Sequence, residues 1–369
     1  MNCLIIAGEK SGEESALTFL PEIKKSLPEL RLWGVGGDSL EAAGVELLYH
    51  LRDFSSFGVS NIVKKIPFYL NAMKTIENEV ETRKCRVAIL IDFQGFNLRL
   101  AQKLSKKGVQ ILYYVAPQAW AWRSWRGKKI AKAVNTLFVL LPFEKKWFSN
   151  QGVQNVKHVP HPVFLEHQYK IEELENLNKR KQLLLLPGSR NSEMEFLLDD
   201  FLKVAEKLKA KYSFEIAMVR TNSVKDSWYE YAGSIVDKFY ESKDLDKSLK
   251  DSYVILAASG TVSLTSALYQ KPTVVAYKVS LLNEFIGRNF VNYKGAISLA
   301  NIILGKMVLP EFIQEDLEVE KIVRKLSSWI EDPKLYKQKQ TELSKLKTLL
   351  GGEDERASKR MIQVIEEAY

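Results

Sequence analysis

The sequence repeats one pattern along most of its length: a short apolar run, a turn rich in glycine, serine or proline, and a helical segment. The run at residues 87–91, VAILI, has no polar interruption, which is typical of a strand buried on both faces. Strands that alternate with helices pair in parallel through right-handed crossovers. This pattern predicts an α/β fold with doubly wound parallel sheets. The predicted strands are residues 3–7, 32–35, 87–91, 111–115, 136–140, 182–186, 214–219, 254–257 and 273–277.

A charged segment, residues 166–181, divides the strands into two groups and is typical of an exposed linker. A chain of 369 residues also exceeds the size at which one hydrophobic core stops growing. We therefore predict an N-terminal domain over residues 1–165 and a C-terminal domain over 180–345, with a ligand in the cleft that they face. Residues 346–369 are predicted to form a C-terminal helix that packs back on the N-terminal domain.

The formal net charge of +9 predicts an anionic partner: nucleic acid, a phosphorylated ligand or an anionic membrane surface. No nucleic-acid-binding module is recognisable, so we expect no nucleic acid partner. Charged residues interrupt every apolar run before it reaches membrane-spanning length, and residues 1–8 are too short for a signal peptide. Together with only two cysteines, these features indicate a cytoplasmic protein. His158 and His161 lie in a proline-rich loop without further ligands nearby, so we predict no metal site.

Two motifs of the first half follow predicted strands. Residues 7–13, AGEKSGE, form a turn whose glycines admit a ligand close to the backbone, at a helix N-terminus that favours an anion. They lack the dinucleotide fingerprint, and the alternative is a tight turn capped by Ser11 or Glu13. Asp92 ends the VAILI strand, where a carboxylate is a candidate general base. The alternative is that Asp92 caps the next helix.

A third motif, residues 113–126, reads YYVAPQAWAWRSWR. Three tryptophans mixed with arginines indicate contact with a sugar or a lipid. The basic residues of this region, which could meet a phosphate or a bilayer surface, are Arg123, Arg126, Lys128 and Lys129. The alternative is a strand packed in the core, followed by a solvated basic helix.

Two motifs of the second half repeat one design. Residues 185–190, LLPGSR, and residues 258–264, ASGTVSL, each place small residues between an apolar run and a helix. Such turns offer backbone amides and hydroxyl donors to an anion, and Arg190 adds a charged clamp. Because both lie at predicted strand ends in the same half, they favour a site for a nucleotide-diphosphate donor.

Taken together, these motifs resemble the lipid-A-disaccharide synthase family, whose members are GT-B glycosyltransferases with two Rossmann-like domains facing a central cleft. The resemblance runs in family order from about residue 8 to residue 314 and includes the tryptophan segment, its most specific part. The stretches that carry it are AGEKSGE, GVGGDSLEAAG, IDFQGFN, YYVAPQAWAWR, LPFE, LLLPGSR, SGTVSL, and Asn301 with LPEFIQ.

The resemblance implies an inverting transfer that needs neither metal nor cofactor. It would move 2,3-diacylglucosamine from UDP to the 6-hydroxyl of 2,3-diacylglucosamine 1-phosphate (lipid X), forming a β-1,6 bond and releasing UDP. The family works on the cytoplasmic face of the inner membrane as peripheral proteins. By the resemblance, the membrane-facing part comprises residues 56–61 and 63–73, and the oligomeric state stays open.

The resemblance also assigns roles to residues. Asp92 would be the base for the 6-hydroxyl, and Arg190 with Ser189 would hold the diphosphate. The other expected donor-binding residues are Ser259, Gly260, Thr261, Asn301, Glu311 and Gln314. The expected cleft and acceptor residues are Gly8, Glu9, Ser11, Gly12, Asn97, Trp120, Trp122 and Arg123.

Three positions depart from the family pattern: Glu13 replaces an aspartate, Gly95 replaces the second acid after Asp92, and Thr265 replaces an acid after SGT. Losing a charge-assisted hydrogen bond costs roughly 1–3 kcal/mol, so we expect altered donor binding, or compensation from Glu311 or Ser263. Two other functions stay open. One is a different UDP-sugar enzyme, such as a peptidoglycan-precursor transferase or a UDP-N-acetylglucosamine epimerase. The other is a catalytically idle paralogue that binds nucleotide sugars or membranes.

Overall fold

The computed structural model describes residues 1–54, 65–121, 124–172, 181–278, 295–354 and 356–369. The chain forms two compact units, the first made of Met1–Leu165 with Leu350–Tyr369 and the second of Glu166–Leu349. Each unit is built on one parallel sheet flanked by helices. The prediction of two doubly wound, Rossmann-like α/β domains is therefore confirmed.

The strands of the first unit are β1 (Asn2–Ala7), β2 (Arg31–Gly36), β3 (Glu46–His50), β4 (Val87–Ile91), β5 (Gln110–Tyr114), β6 (Thr136–Val139) and β7 (Val156–His158). Those of the second are β8 (Gln182–Leu186), β9 (Glu215–Arg220), β10 (Lys238–Glu241), β11 (Val254–Ala258), β12 (Thr273–Tyr277) and β13 (Glu311–Ile313). The first sheet has the order β3-β2-β1-β4-β5-β6-β7, and the second has the order β10-β9-β8-β11-β12-β13.

The helices before the second sheet are α1 (Lys10–Leu17), α2 (Leu20–Ser26), α3 (Asp38–Ala42), α4 (Leu51–Phe54), α5 (Ile66–Thr82), α6 (Gln94–Ser105), α7 (Trp125–Ala133), α8 (Pro142–Asn150) and α9 (Pro162–Glu172). Those that follow are α10 (Asn191–Tyr212), α11 (Asp226–Ala232), α12 (Leu245–Asp251), α13 (Thr261–Leu268), α14 (Leu299–Leu304), α15 (Val319–Glu331), α16 (Pro333–Leu350) and α17 (Ala357–Ala368). Two short 3-10 turns are Ser242–Asp244 and Gln314–Asp316. In the parts of the chain that the structure describes, no helix combines the length and apolarity needed to cross a bilayer.

Both sheets have the same switch of winding direction. The strand order reverses between β1 and β4 in the first unit and between β8 and β11 in the second. In open parallel sheets ligands bind beyond the carboxyl ends of the strands at such a switch point. The sequence motifs with Gly8, Asp92, Ser189 and Ser259 follow these four strands in turn.

The first sheet is buried on both faces, as VAILI indicates. Val87, Ile89 and Ile91 of β4 join one hydrophobic cluster, and Ala88 and Leu90 join the cluster on the opposite face. All five side chains are fully buried. Burying an isoleucine or leucine contributes about 1.5–3 kcal/mol each, so β4 anchors the residue that follows it.

The C-terminal segment returns to the first unit after α16. Met361 and Ile365 of α17 are buried in the cluster on one face of the first sheet. The return passes through Gly352, which has a φ of 76° and leaves no space for a side chain, because a β-carbon there would lie 2.6 Å from the backbone nitrogen of Pro160. The Asp354 carboxylate then accepts hydrogen bonds from the His158 N–H at 2.7 Å and from Lys145 Nζ at 2.8 Å.

Candidate active site

In the first unit, the turns after β1 and β4 pack against each other at the switch point. A β-carbon on Gly8 would lie 2.5 Å from a ring carbon of Phe93, so glycine is required for this close approach. Glu9 and Ser11 are exposed in the same turn, whereas Gly12 is buried against Ile91. We call the carboxyl ends of β1, β4, β5 and β6, which carry Glu9, Asp92 and Glu144, the acidic edge.

The backbone at Asp92 is strained and firmly held. Asp92 and Phe93 have φ angles of 44° and 46°, a left-handed conformation that costs about 1–3 kcal/mol per residue and collects at functional sites. The Asp92 N–H donates to the Tyr114 carbonyl at 2.9 Å. Its own carbonyl accepts the Tyr113 hydroxyl at 2.7 Å and the Asn97 amide at 3.1 Å. These bonds fix the strained turn and leave the carboxylate for another purpose.

The carboxylate of Asp92 does not cap the following helix. α6 has Phe93 at its N-cap and no side-chain cap, so the capping alternative is wrong. Burial, with a smaller contribution from the nearby charge of Glu9, raises the pKa of Asp92 to about 6, against a hydrogen bond from the Phe93 backbone that lowers it. A carboxylate with this pKa is mostly ionised at neutral pH and is more basic than an ordinary aspartate.

Asn97 lies beneath the strained turn and is fully buried. Its side-chain amide donates to the carbonyls of Ile91 and Asp92, both at 3.1 Å. The geometry favours a role in positioning the turn over the direct ligand contact that we predicted.

Glu13 has a structural role in the first turn. Its carboxylate is almost fully buried and accepts hydrogen bonds from the N–H groups of Gly37 and Leu40 and from Lys10 Nζ, each at 2.9 Å. Burial acts to raise the pKa of Glu13, but these three bonds outweigh it and the pKa is lowered. The longer glutamate, one of the three departures, thus ties α1 to the start of α3. Glu13 does not cap α1, so that alternative is wrong.

The tryptophan segment begins in the core and then reaches the surface. Tyr113 and Tyr114 are buried in β5, and Val115 has a φ of 64°, which is unusual for a β-branched residue. Trp120 is half-buried and donates its indole N–H to Glu144 Oε1 at 2.9 Å. Trp125 is 51% exposed at the start of α7. The predicted residues Trp122 and Arg123 lie outside the described part of the chain.

Basic side chains surround Trp125, as the sequence indicates. Lys129 Nζ lies 4.5 Å and the Arg126 guanidinium 5.7 Å from the centre of a Trp125 ring. Arg126 also donates to Gln94 Oε1 at 2.6 Å, which links α7 to the first turn of α6. The alternative interpretation, a core strand followed by a basic helix, therefore fits β5 and α7 at the two ends of this segment. Trp120, between them, lies at the acidic edge instead.

The second unit carries a different set of groups at its switch point. We call the carboxyl ends of β8 and β11, with Ser189, Arg190, Ser259 and Thr261, the hydroxyl edge. Arg190 is 77% exposed at the N-cap of α10 and bonds Glu193 Oε1 at 3.2 Å. The other oxygen of Glu193 accepts the N–H groups of Ser189 at 2.7 Å and Arg190 at 3.3 Å. We predicted that these amides face a diphosphate; in the structure they bond Glu193, and the contact of this turn with a diphosphate stays a prediction.

In the turn after β11, the Ser259 N–H donates to the Ala276 carbonyl at 2.9 Å, and among the described residues no carboxylate accepts the amides that follow it. Ser259 is half-buried, Gly260 and Thr261 are exposed, and no described side chain caps α13. A β-carbon at Gly260 would have no atom of the described residues within 4 Å. Uncapped amides at a helix N-terminus favour an anion. The hydroxyl edge therefore offers its backbone at the second turn and Arg190 at the first.

The residues near β13 form a closed hydrogen-bond network. Asn301 is 1% exposed, accepts the N–H groups of Val308 and Leu309 at 2.8 Å, and donates to Glu311 Oε1 at 2.7 Å. The Glu311 carboxylate also accepts the N–H groups of Ile297 and Ser298, both at 2.9 Å. These bonds tie the residues before and after α14 to β13, and donor contact by Asn301 and Glu311 stays a prediction.

Gln314 is half-buried with a φ of 52° at the start of a 3-10 turn. Thr265 is 3% exposed and donates to the Thr261 carbonyl at 3.2 Å. Ser263, which we considered as compensation, is fully buried and bonds the Gly260 carbonyl at 2.7 Å. Neither Ser263 nor Glu311 therefore presents an unoccupied group in place of the missing acid at Thr265.

The predicted membrane-facing residues are only partly described. Residues 56–61 and 63–64 lie outside the described part of the chain. In α5, Ile66 and Leu70 are 46% and 57% exposed, one helical turn apart. Lys74 continues the exposed face. α6 packs against both α5 and α7, so this face and Trp125 flank one helix.

Sequence reasoning missed several of these groups. Glu144 and Glu193 each lie at the third helical position after an N-cap, the spacing of a capping box, so both could have been recognised. No local signal indicates the Tyr113 bond to Asp92, because it depends on packing between β4 and β5. Among the described residues, no group of three or more His, Cys, Asp or Glu is arranged to hold a metal ion.

The sequence was also compared with known protein families and with individual proteins. A family model described as lipid-A-disaccharide synthetase matches residues 3–365. The chain is 34% identical to lipid-A-disaccharide synthase of Myxococcus xanthus, with 89% of this chain and 88% of the relative covered. It is 33% identical to lipid-A-disaccharide synthase 1 of Legionella pneumophila, with 94% and 92% covered.

Solved structures of low identity share the fold. A UDP-N-acetylglucosamine 2-epimerase from Listeria monocytogenes has a TM-score of 0.63 at 12% identity, with 99% of this chain and 96% of that chain covered. The UDP-GlcNAc 2-epimerase from Neisseria meningitidis, bound to UDP-GlcNAc, has a TM-score of 0.59 at 11% identity, with both chains fully covered.

Proposed function

This chain belongs to the lipid-A-disaccharide synthetase family, and from that premise we propose a specific reaction and an assignment of its residues. Membership makes the chain a glycosyltransferase that forms the lipid A disaccharide. We propose that the donor is UDP-2,3-diacylglucosamine and that the acceptor is 2,3-diacylglucosamine 1-phosphate. The product is the β-1,6-linked disaccharide 1-phosphate, formed with inversion, and UDP is released.

Asp92 is the general base of this reaction. Its carboxylate takes the proton of the acceptor 6-hydroxyl as that oxygen forms a bond to the anomeric carbon of the donor. The bond from this carbon to the phosphate oxygen breaks on the opposite face, which gives inversion. The observation that carries the assignment is the carboxylate itself. It is half-buried, does not cap α6 and follows a strained backbone turn, and burial with the nearby Glu9 charge raises its pKa to about 6.

The hydroxyl edge holds the donor and stabilises the leaving UDP. Arg190 contributes a guanidinium that matches phosphate geometry, and the uncapped start of α13 contributes amides from Thr261 onward. Ser189 and Ser259 add polar groups at the two turns. The first unit then serves the acceptor and the second unit serves the donor. No metal ion is required, because these groups take up the charge that develops on UDP.

The exposed face of α5 and the neighbourhood of Trp125 are proposed to contact the inner membrane from the cytoplasm. Ile66, Leu70 and Trp125 supply apolar area, and Lys74 and Lys129 supply charges that attract anionic lipids. This peripheral contact would give the enzyme access to acylated substrates that partition into the bilayer.

The experiment measures sugar transfer from the proposed donor to the proposed acceptor by the purified protein, in detergent micelles that contain EDTA. Disaccharide detected by mass, in equal amount with released UDP, is the expected result. UDP release without disaccharide would indicate hydrolysis, and UDP-sugar isomerisation would favour an epimerase instead. Binding of UDP without any turnover would favour the idle paralogue.

A further inference from the structure

A second carboxylate of the acidic edge, Glu144, has a geometry that its role as a helix cap does not explain. It follows β6 at the start of α8 and is only 3% exposed. One oxygen, Oε2, accepts the Leu141 N–H at 3.2 Å, which is the bond that a cap requires. The other, Oε1, accepts the indole N–H of Trp120 at 2.9 Å, and no cap requires that bond.

Both oxygens of Glu144 accept hydrogen bonds, Oε1 from Trp120 and Oε2 from Leu141, with a further backbone bond from Leu140, and this determines which residue can serve here. A glutamine caps a helix as well as a glutamate does, but it has a single acceptor oxygen. In its place the amide nitrogen would face one of the two N–H groups, donor against donor. Burying a carboxylate is also costly: burial raises the pKa of Glu144 to about 7, against the lowering effect of the Trp120 bond. The glutamate is therefore explained by the need to accept from Trp120.

Trp120 is held in two directions. The bond to Glu144 fixes the edge of the indole, and the ring meets Phe143 edge-on, with centroids 4.9 Å apart and planes at 86°. The side chain of Trp120 stays partly exposed, on the edge that also carries Asp92, since β4, β5 and β6 are neighbours in the sheet. An immobilised indole is an apolar wall for a sugar face or for the start of an acyl chain.

We propose that Glu144 is a positioning residue that acts through Trp120, fixing the indole as one wall of the subsite for the acylated acceptor sugar. This inference rests on the proposed function, because it takes the acceptor to bind at the acidic edge. Glu144 itself touches neither substrate, and its effect on the reaction passes through the ring that it holds.

The test compares Glu144→Gln, which keeps the size of the side chain, Trp120→Phe, which keeps an aromatic ring but removes the indole N–H, and the double variant. Acceptor binding is measured as the Kd of 2,3-diacylglucosamine 1-phosphate in micelles without donor, and kcat and both KM values are measured separately. We expect each single variant to raise the acceptor Kd and KM roughly three- to tenfold, with donor KM and kcat within about twofold. The double variant should be no worse than either single variant, because both remove the same bond.

Two control variants separate positioning from stability. Trp147→Phe changes another half-buried tryptophan, on the same helix as Glu144, that packs against Phe148. Asp332→Ala removes a capping carboxylate that accepts the Lys334 N–H at 2.8 Å in the second unit. Both should leave the acceptor Kd unchanged, even where urea unfolding shows reduced stability.

The outcomes are distinct. An unchanged acceptor Kd in Glu144→Gln, whatever its stability, would show that the Trp120 bond does not serve the acceptor and would overturn the proposal. Effects of the two single variants that multiply in the double variant would also overturn it. Absence of disaccharide from the unmodified protein would instead reject the proposed function, while the acceptor Kd values would still decide the role of Glu144.

Discussion

The acidic edge and the hydroxyl edge occupy equivalent places in two sheets of the same winding, yet their backbones differ. At the acidic edge, the residues with positive φ after β4 and β5 are Asp92, Phe93 and Val115. At the hydroxyl edge, the positive φ after β8 belongs to Gly188. Glycine adopts this conformation at little cost, whereas other residues are strained in it.

The side-chain chemistry differs in the same direction. The acidic edge holds carboxylates with raised pKa values, Asp92 at about 6 and Glu144 at about 7, because burial disfavours their charge. At the hydroxyl edge, Arg190 is 77% exposed and the start of α13 has no described side-chain cap. Strain and desolvation are features of a site that moves a proton, and accessible donors are features of a site that binds an anion. The comparison therefore separates chemistry from donor binding.

The largest effect should come from Asp92→Asn. Removing a general base lowers kcat by roughly 10²- to 10⁴-fold. UDP affinity should stay within about twofold, because the hydroxyl edge is intact. Single-turnover transfer and UDP titration of the same preparation test both statements. Loss of UDP binding would break the separation between the two edges.

The same variant should be more stable than the parent protein. The pKa of Asp92 is raised from an ordinary value near 3.9, so ionisation costs stability above about pH 6 and has no cost below about pH 4. At pH 7, Asp92→Asn should therefore raise the free energy of unfolding by up to about 3 kcal/mol. Urea unfolding at pH 7 and pH 4 should show this gain only at the higher pH.

Arg190→Ala should have the next largest effect. Losing charge-assisted hydrogen bonds to phosphate costs about 1.5–3 kcal/mol, or roughly 10- to 100-fold in UDP affinity. The acceptor Kd should not change. Because Arg190 is an exposed N-cap residue, the comparison variant is Arg190→Lys, which keeps a charge and loses the paired geometry. Equal affinity in Arg190→Lys and Arg190→Ala would show that charge at this position is unimportant.

Glu193→Ala should produce a smaller change, mainly in stability. Glu193 satisfies the amides of Ser189 and Arg190, and loss of a helix cap costs about 0.5–2 kcal/mol. Urea unfolding measures this loss, with Asp332→Ala as a matched cap elsewhere in the unit. UDP affinity should not improve. Tighter UDP binding would mean that the freed amides hold phosphate, which would change the account of this turn.

The smallest effect should come from Gly95→Asp, which restores the acid that the family pattern has at this position. A β-carbon at Gly95 would have no atom of the described part of the chain within 4 Å, and the residue lies in the first turn of α6. An acid near a helix N-terminus and the loss of a helical glycine together should add about 0.5–1 kcal/mol of stability. Thermal unfolding checks the sign. Destabilisation would show that the open space is used by another part of the chain.

The central strands could be predicted from sequence and the edge strands could not. Runs such as VAILI are apolar because both faces are buried. The strands that the sequence did not reveal are the outermost ones in the two sheets: β3, β7, β10 and β13. Each is short or half-buried, so it lacks the continuous apolar run that marks a central strand.

Some features of the candidate site could likewise be predicted from the sequence, and others could not. The positions of Asp92 and the SGT turn follow from strand ends, which local pattern indicates. The roles of Asn97 and Glu311 do not, because they are set by bonds to the turn at Asp92 and to the start of α14. A polar residue in a motif has the same one-letter code whether it meets a ligand or a backbone amide. Only the fold distinguishes the two.

The central claim is that the chain's base is a desolvated aspartate whose pKa is about 6, raised in part by Glu9. The most direct test is the pH dependence of kcat/KM for the acceptor, compared between the unmodified protein and Glu9→Gln. The acceptor phosphate also titrates near pH 6, but it contributes equally to both profiles.

The account predicts that activity falls as the pH drops through about 6 in the unmodified protein. In Glu9→Gln, the enzyme's inflection should move to lower pH by less than about one unit, since burial is the larger cause of the raised pKa. Identical profiles, or an inflection near the ordinary aspartate value of about 4 in the unmodified protein, would contradict the account.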